Sequence, residues 1–600
     1  MSYQPIENYG IIGDMNTVAL VGLNGSIDFM CFPDFDSPTI FAALLDDKKG
    51  GSFQIHPTKE RTKYKQLYLP DTNVLLTRFL CKDGVGEVTD FMPVEALFQG
   101  KEIIRKVTTV RGEVSFHMDC KPRFNYAQSE HLLEIISPYE IIFKSKDESS
   151  FELRLRSSVP MEIKEGDVYA EFTLSLGETA EFILETTDRS QPSIPLSDFV
   201  NNSLTETITY WQQWMAQSNY QGRWSEIVNR SALVLKLLTS YKHGSIVAAP
   251  TFSLPESVGG QRNWDYRYTW IRDSSFTIYV LIKLGYKKEA ENFMKWVSKE
   301  CRDVTNEGLL GLMYTLDGRN DIKETSLNHL EGYMGSSPVR IGNEAFQQYQ
   351  LDIYGELLDA VYLYDRHVEK IPYTFWLALT RQIEFVCNHW RDEDHGIWEI
   401  RSEKKDFLYS KLMCWVAIDR GIKIGNSRSF PIPEKWIKVR DTIHSTIFDN
   451  YWNKEKKSFV QHIGSESVDA SLLLMPIVRF IGPKDPQWLS TLEFIEKELV
   501  SDCVVYRYRH EKFEDGLNHG EGTFSMCTFW YVECLSRAGQ LDKARLFFEK
   551  MLGYTNHLGL YAEQLGFQGE HLGNFPQGFT HYGLIGAAYD LNRRLNAEKC

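Results

Sequence analysis

The sequence predicts a chain of mixed β and α structure, with an antiparallel β-sandwich over residues 1–195 and a barrel of helical hairpins over residues 223–600. Three observations predict this fold class. The 600 residues exceed what one hydrophobic core ordinarily organises. The first third of the chain alternates apolar and polar residues as strands do, and the remainder repeats its apolar residues at helical spacing.

Short alternating runs separated by turn residues fill the first third of the chain. The run VYAEFTLSLGETAEFILETT (168–187) alternates apolar and polar residues on either side of a Gly-Glu turn. The runs EIIRKVTTV, HLLEIISPYEIIFKSK and FELRLRSSV alternate in the same way. Because such runs are typical of half-buried strands, we expect an N-terminal antiparallel β-sandwich.

The spacing of apolar residues becomes helical after residue 195. Residues 196–222 are predicted to form a linker helix between the two domains. Twelve further segments repeat apolar residues at i, i+3 and i+4. They lie near 224–242, 272–285, 287–302, 343–367, 373–390, 407–423, 434–449, 469–480, 486–500, 521–538, 540–553 and 578–593.

The loops between these helical segments alternate between long and short. Helices that run alternately up and down place every long loop at the same end, and six hairpins closed into a ring would gather these loops on one face. Loops held by a rigid scaffold commonly carry function, so this face is the predicted site. An open solenoid is the alternative, but no motif repeats with the fixed period typical of such arrays.

Composition and charge exclude several classes of partner. The formal net charge of −15 is spread along the chain, which argues against nucleic acid or an anionic membrane surface. No apolar run is long enough to span a membrane, and the first residues do not resemble a secretion signal. The ten cysteines form no CxxC pair, so we expect reduced thiols, a cytoplasmic location and no metal or other cofactor.

The loop between the first two predicted barrel helices carries an unusual number of aromatic residues. In GGQRNWDYRYTWIRD (259–273), four large rings alternate with charged or hydroxyl residues, and Arg272 and Asp273 close the run. Rings can stack on the apolar faces of a sugar, and a fixed guanidinium and carboxylate can bond its hydroxyls. The alternative for the Arg-Asp pair is a salt bridge at the start of a helix.

Two glutamates on other long loops lie beside aromatic residues. Glu399 follows Trp398 in HGIWEIR, and Glu563 follows Leu560 and Tyr561 in GLYAEQL. An apolar setting disfavours the charged form of a carboxyl group and can keep it protonated. Acetal hydrolysis needs one carboxylic acid and one carboxylate. No nucleophile elbow, HExxH, Walker A or GxGxxG motif offers a competing chemistry, and His395 has no partner with metal-ligand spacing.

Seven motifs in order resemble those of glycoside hydrolase family 15, the glucoamylases, glucodextranases and related trehalases. The N-terminal NYGIIGDMNTVALVGLNGSIDFMCFPDFDSPTIFAALLD resembles the trehalase-like β-domain of bacterial and archaeal members. The others are SLPESVGGQRNWDYRYTWIRD, HLEGYMGSSPVRIGN, GIWEIR, SKLMCWVAIDR, DGLNHGEGTF and YAEQLG with LGNFPQGFTHYGLI. The resemblance implies a β-sandwich followed by an (α/α)6 barrel.

The resemblance also implies roles for individual residues. Glu399 would be the general acid and Glu563 the general base of an enzyme that inverts the anomeric centre. The implied substrate-binding residues are Trp270, Arg272, Asp273, Trp398 and Arg507. Two positions depart from the family pattern: Ile400 replaces the second glutamate of fungal glucoamylases, and Gly520 precedes Glu521 where a Glu-Glu pair is expected.

Together these features predict an exo-acting, inverting α-glucoside hydrolase. It would release glucose from the non-reducing ends of a small carbohydrate, either trehalose or short α-glucans such as maltooligosaccharides. An inverting disaccharide phosphorylase is one alternative, although it needs only the acid carboxylate. A catalytically silent carbohydrate-binding protein is the other.

Overall fold

A computed structural model of the chain describes residues 3–59, 62–94, 101–187, 196–303, 309–517 and 520–597, with side chains of 301–303 excepted. The first part of the described chain consists of strands, and the part after residue 196 is mainly helical. This order agrees with the predicted change from β to α patterning. The predicted domain boundary at residue 195 lies outside the described residues.

Fifteen strands make up the described N-terminal region, and all of their pairings are antiparallel. They are β1 (Tyr9–Gly13), β2 (Val18–Gly22), β3 (Ser26–Cys31), β4 (Thr39–Phe41), β5 (Phe53–Pro57), β6 (Lys63–Tyr68), β7 (Leu75–Leu80), β8 (Gly84–Phe91), β9 (Glu102–Cys120), β10 (His131–Ser137), β11 (Glu140–Ser145), β12 (Glu152–Ser157), β13 (Glu162–Lys164), β14 (Asp167–Ser175) and β15 (Thr179–Thr186).

The long strand β9 belongs to two sheets. Its first half pairs with β8 and β15, in the order β6-β7-β8-β9-β15-β12-β11-β10, and its second half pairs with β5 and β14. The change occurs near Gly112, whose φ is +66° and where an added Cβ would lie 2.0 Å from the carbonyl oxygen of Asp83. Only glycine fits this bend, which directs one strand into both sheets.

The strands bury alternate residues, as their sequences predict. In β11, for example, Ile141, Phe143 and Ser145 are buried, whereas the residues between them are partly exposed. Side chains of a strand point alternately to its two faces, so this pattern places one face of the sheet against the core. The apolar positions of the predicted strands therefore form the core of the N-terminal region.

Thirteen α-helices follow in the described residues. They are α1 (Leu196–Met215), α2 (Ser225–Leu237), α3 (Ile271–Leu284), α4 (Lys287–Asp303), α5 (Asp352–His367), α6 (Tyr373–His389), α7 (Leu408–Arg428), α8 (Glu434–Asn450), α9 (Leu474–Ile477), α10 (Pro486–Leu499), α11 (Ser525–Ala538), α12 (Leu541–Leu552) and α13 (Gly578–Ala597). Helices α2 to α13 correspond one to one to the twelve predicted segments.

Two of the predicted helices are shorter than expected. The segment near 343–367 becomes helical only at Asp352, because Asn343 instead caps a 3-10 turn over Glu344–Gln347. The segment near 469–480 contains a 3-10 turn over Ala470–Leu473 and then the four-residue helix α9. In both segments the apolar periodicity is real, but it does not distinguish a continuous helix from successive turns packed against the same core.

The helices pack in a closed circle. Helix α3 contacts α5, α5 contacts α7, and α7 contacts the 470–473 turn, which contacts α11; α11 then packs on α13, and α13 returns to α3. Helices α2, α4, α6, α8, α10 and α12 contact members of this circle from outside. Helix α7 is buried on nearly all sides, whereas α12 buries one stripe. This difference is expected between helices surrounded by others and helices at a surface.

The N-terminal region packs directly against the helical region. The guanidinium of Arg230 on α2 lies 3.8 Å from the ring centre of Tyr68 and donates to Asn73 Oδ1 at 2.8 Å. At a second contact between the two regions, Asn556 Nδ2 donates to the carbonyl oxygen of Tyr9 at 2.8 Å. Buried polar contacts of this kind specify how the two regions are oriented.

Two further predictions concern the whole chain. None of the helices in the described ranges has the length and apolarity that a membrane span needs. Eight cysteines in those ranges are buried and unpaired, and the side chains of Cys301 and Cys600 lie outside them.

Candidate active site

The long loops at one end of the helical circle form a pocket of about 760 Å³, part of it open to solvent. All seven residues predicted for the site line it: Trp270, Arg272, Asp273, Trp398, Glu399, Arg507 and Glu563. Further lining residues include Glu256, Arg262, Trp264 and Tyr266. Its mixture of aromatic and charged groups is typical of small-molecule sites.

Glu399 bonds two residues that start the helix α3. Its Oε1 accepts from Trp270 Nε1 and from the guanidinium of Arg272, each at 2.8 Å. Glu399 has a φ of +55°, a left-handed conformation that is uncommon for a residue other than glycine. The sequence suggested Trp398 as the indole beside this carboxylate, but Trp398 donates instead to Asp469 Oδ2 at 2.6 Å.

Two buried residues at or just before the start of α5 orient Arg272. One of its terminal nitrogens donates to Gln350 Oε1 at 2.9 Å and to Asp352 Oδ2 at 3.0 Å, and the other reaches Glu399. Since these bonds use both ends of the guanidinium fork, Arg272 has a single orientation. The Arg272–Asp273 ion pair that the sequence offered as an alternative is also present, at a longer distance of 3.9 Å.

Asp273 presents its carboxylate to the pocket. The closest Arg272 nitrogen lies 3.9 Å from Asp273 Oδ2, beyond hydrogen-bond distance. Burial raises the pKa of Asp273 to about 7, although the Arg272 charge acts in the opposite direction and the Glu399 charge adds to the rise. A partly enclosed carboxylate that lines the pocket is suited to accept hydrogen bonds from hydroxyl groups of a ligand.

Glu563 also lines the pocket and is almost fully buried. Its Oε1 accepts from the Tyr266 hydroxyl at 2.6 Å, and its Oε2 lies 3.4 Å from the backbone nitrogen of Asn574. Burial raises the pKa of Glu563 well above its ordinary value, the Glu256 charge raises it further, and the Tyr266 hydrogen bond lowers it. The surroundings therefore make Glu563 a stronger base than an exposed glutamate.

A pair of aromatic rings connects the two glutamates. The ring centres of Tyr266 and Trp270 are 5.4 Å apart in an edge-to-face arrangement. Tyr266 bonds Glu563, and Trp270 bonds Glu399. The two carboxyl groups are thus held on either side of one aromatic pair, with both of them lining the same pocket.

Arg507 belongs to a buried ionic cluster beside the pocket. Its Nε donates to Glu521 Oε1 at 2.6 Å, and one terminal nitrogen lies 3.5 Å from Glu256 Oε2. The Arg507 charge helps to lower the pKa of Glu521 to about 2, whereas burial raises the pKa of Glu256 to about 7. Arg507 therefore keeps its charge next to an ionised Glu521.

The two departures from the family pattern have different surroundings. Glu521 still pairs with Arg507, while Gly520 is exposed and an added Cβ there would have no atom within 4 Å. Ile400 is buried, with 1% of its surface exposed. The Gly520 departure therefore leaves the Arg507 ion pair in place.

Four residues that the sequence analysis did not assign take part in the site. Tyr266 bonds Glu563, Glu256 lies beside Arg507, and Gln350 and Asp352 orient Arg272. Tyr266 lies in the alternating aromatic run, so the sequence carried a signal for it. Gln350 and Asp352 lie near the start of an ordinary amphipathic helix and carry no such signal.

The family is decided by comparison with known proteins. A family model described as "Glycosyl hydrolases family 15" matches residues 222–589, which is more than half of the chain. The chain belongs to glycosyl hydrolases family 15. A second model, "Trehalase-like, N-terminal", matches residues 1–146 of this family 15 member. The chain is therefore a glycoside hydrolase, as the paired glutamates predict.

Relatives extend over nearly the whole family 15 chain. A trehalase from Thermoplasma volcanium is 37% identical over 99% of this chain and 94% of its own. A trehalase from Mycobacterium tuberculosis is 35% identical over 98% of this chain and 90% of its own. The crystal structure of a bacterial glucoamylase complexed with acarbose has a TM-score of 0.73 at 14% identity, covering 98% of this chain and 94% of that one. The last comparison supports the mixed fold, with a β-rich region followed by a helical region.

Proposed function

We propose that the protein is a trehalase, which hydrolyses the bond between the two glucose units of trehalose with inversion. The observation that carries the proposal is that Glu399 and Glu563 line one pocket on either side of the Tyr266–Trp270 pair. The choice of substrate is supported by the trehalase relatives, which match this chain over nearly its full length.

Glu399 acts as the general acid in this proposal. Its Oε1 accepts two hydrogen bonds, and no donor in the described residues lies within hydrogen-bond distance of Oε2. Oε2 is therefore the oxygen that can carry a proton and give it to the glycosidic oxygen. Because proton donation neutralises the leaving group as the bond breaks, it lowers the barrier to cleavage.

Glu563 acts as the general base. With Oε1 bonded to the Tyr266 hydroxyl, Oε2 is the oxygen that can remove a proton from water. That water attacks the anomeric carbon from the face opposite the departing oxygen, so one product is β-glucose. Inversion requires roughly 6.5–9.5 Å between the two carboxyl groups, and we expect this separation here.

Arg272, Asp273 and Arg507 hold the glucose whose anomeric carbon reacts. Asp273 would accept from sugar hydroxyls, and Arg272, fixed by Gln350 and Asp352, would donate to them. Trp270 and Trp398 supply the apolar wall. A fixed set of donors and acceptors favours a substrate that arrives with all its hydroxyls in matching positions.

The architecture belongs to the same proposal. The closed circle of helix contacts, with a second set of helices outside it, supports an (α/α)6 barrel, and the two sheets that share β9 support a β-sandwich. We take the domain division as 1–195, a linker over 196–222, and 223–600. The cytoplasmic location and the lack of a cofactor stay predictions from the sequence.

A proton NMR time course tests the function. The enzyme is given trehalose and maltoheptaose together, first without and then with inorganic phosphate, and the anomeric signals are followed before mutarotation. We expect trehalose to disappear and α- and β-glucose to form in equal early amounts, since only the attacked ring inverts. Early β-glucose from maltoheptaose alone would instead indicate a glucoamylase. Glucose 1-phosphate formed only with phosphate would indicate the phosphorylase alternative.

A further inference from the structure

One short segment of the pocket wall has two different faces. In residues 263–267, Trp264 and Tyr266 are partly exposed, whereas Asn263, Asp265 and Arg267 are fully buried. Residues 263–265 are a strand, and side chains alternate between the two faces of extended backbone. Alternate residues of this segment therefore point into the pocket and away from it.

The pocket face of the 263–267 segment bonds two buried carboxylates. Tyr266 donates its hydroxyl to Glu563 Oε1 at 2.6 Å, and Trp264 Nε1 donates to Glu256 Oε1 at 2.9 Å. A displacement of this segment would thus change the position of Tyr266 relative to Glu563. The distance of that bond leaves little room for movement without loss of the interaction.

The opposite face of the segment is fastened to the N-terminal region through Arg267. Arg267 bonds both carboxylate oxygens of Asp265, at 2.9 and 2.6 Å. Its other terminal nitrogen donates to the carbonyl oxygen of Ser37 at 2.9 Å and to Cys31 Sγ at 3.3 Å. The Tyr126 hydroxyl oxygen lies 3.4 Å away as a further acceptor. Ser37, Cys31 and Tyr126 all belong to the N-terminal region.

The backbone around Tyr126 is held in an uncommon conformation. Asn125, Tyr126 and Ala127 have φ values of +50°, +58° and +62°. Left-handed conformations of non-glycine residues cost free energy and persist where surrounding contacts determine them. Here His329 Nε2, from a loop of the helical region, donates to the Tyr126 carbonyl oxygen at 2.7 Å. This contact helps to hold the phenol next to Arg267.

Arg267 is buried completely but does not line the pocket. Its guanidinium carbon lies 4.3 Å from the ring centre of Phe252, so the cation is enclosed by an aromatic face as well as by acceptors. Burying an arginine costs free energy unless its guanidinium is paired with a charge and fully hydrogen-bonded. The arrangement is that of a rigid connection between two regions.

We propose that the N-terminal region is part of the catalytic apparatus, because it positions Glu563 through Arg267, the 263–267 segment and Tyr266. Arg267 is a positioning residue in this scheme, since it touches neither substrate nor reacting atoms. The inference rests on the proposed role of Glu563 as the base. In this scheme the N-terminal region has a functional role in addition to its packing against the helical region.

The positioning scheme predicts a change in the pH dependence of activity. Three groups facing Glu563 influence its protonation: Glu256 raises its pKa, and Tyr266 and Arg507 lower it. The base must be ionised, so activity falls as the pH drops below the pKa of Glu563. Loss of the Tyr266 hydrogen bond removes an influence that lowers the pKa of Glu563. The acidic limb of the pH profile, where activity falls with pH, should therefore move to higher pH.

The test compares variants of the full chain that remain folded in thermal melts. Tyr266→Phe removes the bond directly and should move the acidic limb of kcat/KM for trehalose to higher pH. Arg267→Lys, which cannot reproduce the guanidinium fork, should move the limb in the same direction and lower kcat about 10- to 100-fold with a small change in KM. In the double variant the limb should coincide with that of Tyr266→Phe alone.

Arg230→Lys is the matched control. Arg230 is also a buried arginine that bonds the N-terminal region, but its partners are Asn73, Thr72 and Tyr68, none of which lines the pocket. This variant should keep the wild-type limb and kcat. If Arg267→Lys does not fold, Tyr126→Phe carries the test, because it deletes a single oxygen and should move the limb in the same direction by less.

The outcomes separate this inference from the proposed function. Folded Arg267→Lys and Tyr126→Phe variants with the wild-type limb and kcat would overturn the inference. Glu563→Gln decides the function on which it rests. If Glu563→Gln is inactive while the Arg267 variants behave as wild type, only the positioning scheme is wrong. If Glu563→Gln still turns over trehalose, the base itself has been misassigned.

Discussion

At the scale of single residues, Glu399 and Glu563 differ in what their carboxyl oxygens contact. Glu399 takes both of its bonds on one oxygen, from Trp270 and Arg272, whereas Glu563 is enclosed and bonded by Tyr266. A hydrolase that inverts needs one group that gives a proton and another that removes one. Different surroundings for the same side chain can divide these tasks.

The acid role predicts a substrate-dependent effect of Glu399→Gln. Trehalose turnover should fall about 10²- to 10⁴-fold with KM nearly unchanged, because the amide cannot donate a proton to the leaving oxygen. α-Glucosyl fluoride, whose fluoride leaves without protonation, should be hydrolysed with a much smaller loss. Steady-state kinetics on both substrates measure this.

The exposed Glu403, four residues further along, supplies the control. Glu403→Gln should behave as wild type on both substrates. An equal loss on trehalose and on the fluoride after Glu399→Gln would instead assign Glu399 to binding or to the base. Glu563→Gln should be inactive on both, since water activation is needed in each case.

The base role predicts an acidic limb of kcat/KM above the ordinary range of a glutamate. The pKa of Glu563 is raised by burial and by the Glu256 charge, and a general base acts in its ionised form. Activity is therefore lost as the pH falls through this raised pKa, whereas the need for a protonated Glu399 limits activity at higher pH. Glu256→Gln removes one raising influence, so its limb should move to lower pH. A limb that stays in place or moves upward would show that Glu256 does not act on Glu563 in this way.

At the scale of structural elements, the loop that carries Glu563 depends on a glycine. Gly573 has a φ of +73°, and an added Cβ would lie 2.4 Å from Glu563 Oε2. The backbone of Glu563 and Asn574 is joined by a bond of 3.2 Å between nitrogen and oxygen. The close approach of Gly573 to Glu563 thus leaves no space for a side chain at position 573.

Gly573→Ala should therefore reduce kcat on the order of 10-fold or more, because Glu563 must shift to accommodate the methyl group. The matched control is Gly464→Ala, where φ is +81° and an added Cβ has no atom within 4 Å. Both variants bear the cost of a left-handed alanine, about 1 kcal/mol. Only the first should lose activity in initial-rate assays. Equal activities would mean that Glu563 tolerates the shift.

The helices show how far an element can be predicted from spacing alone. The periodic segment 373–390 corresponds to the helix Tyr373–His389, whose buried residues recur from Phe375 to Cys387. The segment near 343–367 loses its first turns because the Asn343 side chain bonds Ala345 and starts a 3-10 turn. Periodicity reports burial, whereas local side-chain bonds determine where the helix begins.

At the scale of the whole molecule, the N-terminal and helical regions share buried polar contacts. Arg230 reaches from α2 to Asn73 and to the carbonyl oxygen of Thr72, while its guanidinium lies against Tyr68. Burial lowers the pKa of Arg230 to about 10. Such an interface should make the two regions unfold together.

Arg230→Met should lower the free energy of unfolding by about 1–3 kcal/mol, since Asn73 and Thr72 lose a buried donor. Denaturant titration followed by tryptophan fluorescence measures this. The exposed Arg593, paired with Asp590 at 3.0 Å, is the control, and Arg593→Met should cost about 0–1 kcal/mol. Similar losses in both variants would mean that the interface contributes little to stability.

The sequence by itself determined the order of strands and helices and the positions of both glutamates, because periodicity and short motifs are local properties. It also placed Trp270, Arg272 and Asp273 on the same loop. These features survive in the structure because each depends on neighbours along the chain.

Only the tertiary structure decided which groups bond one another. Trp270 rather than Trp398 bonds Glu399, and Arg267 reaches across to Ser37 of the N-terminal region. A buried polar group bonds whatever partner the fold brings within about 3 Å, however distant it is in the sequence. For this reason the residues that line the pocket could be predicted from the sequence, but the contacts that orient them could not.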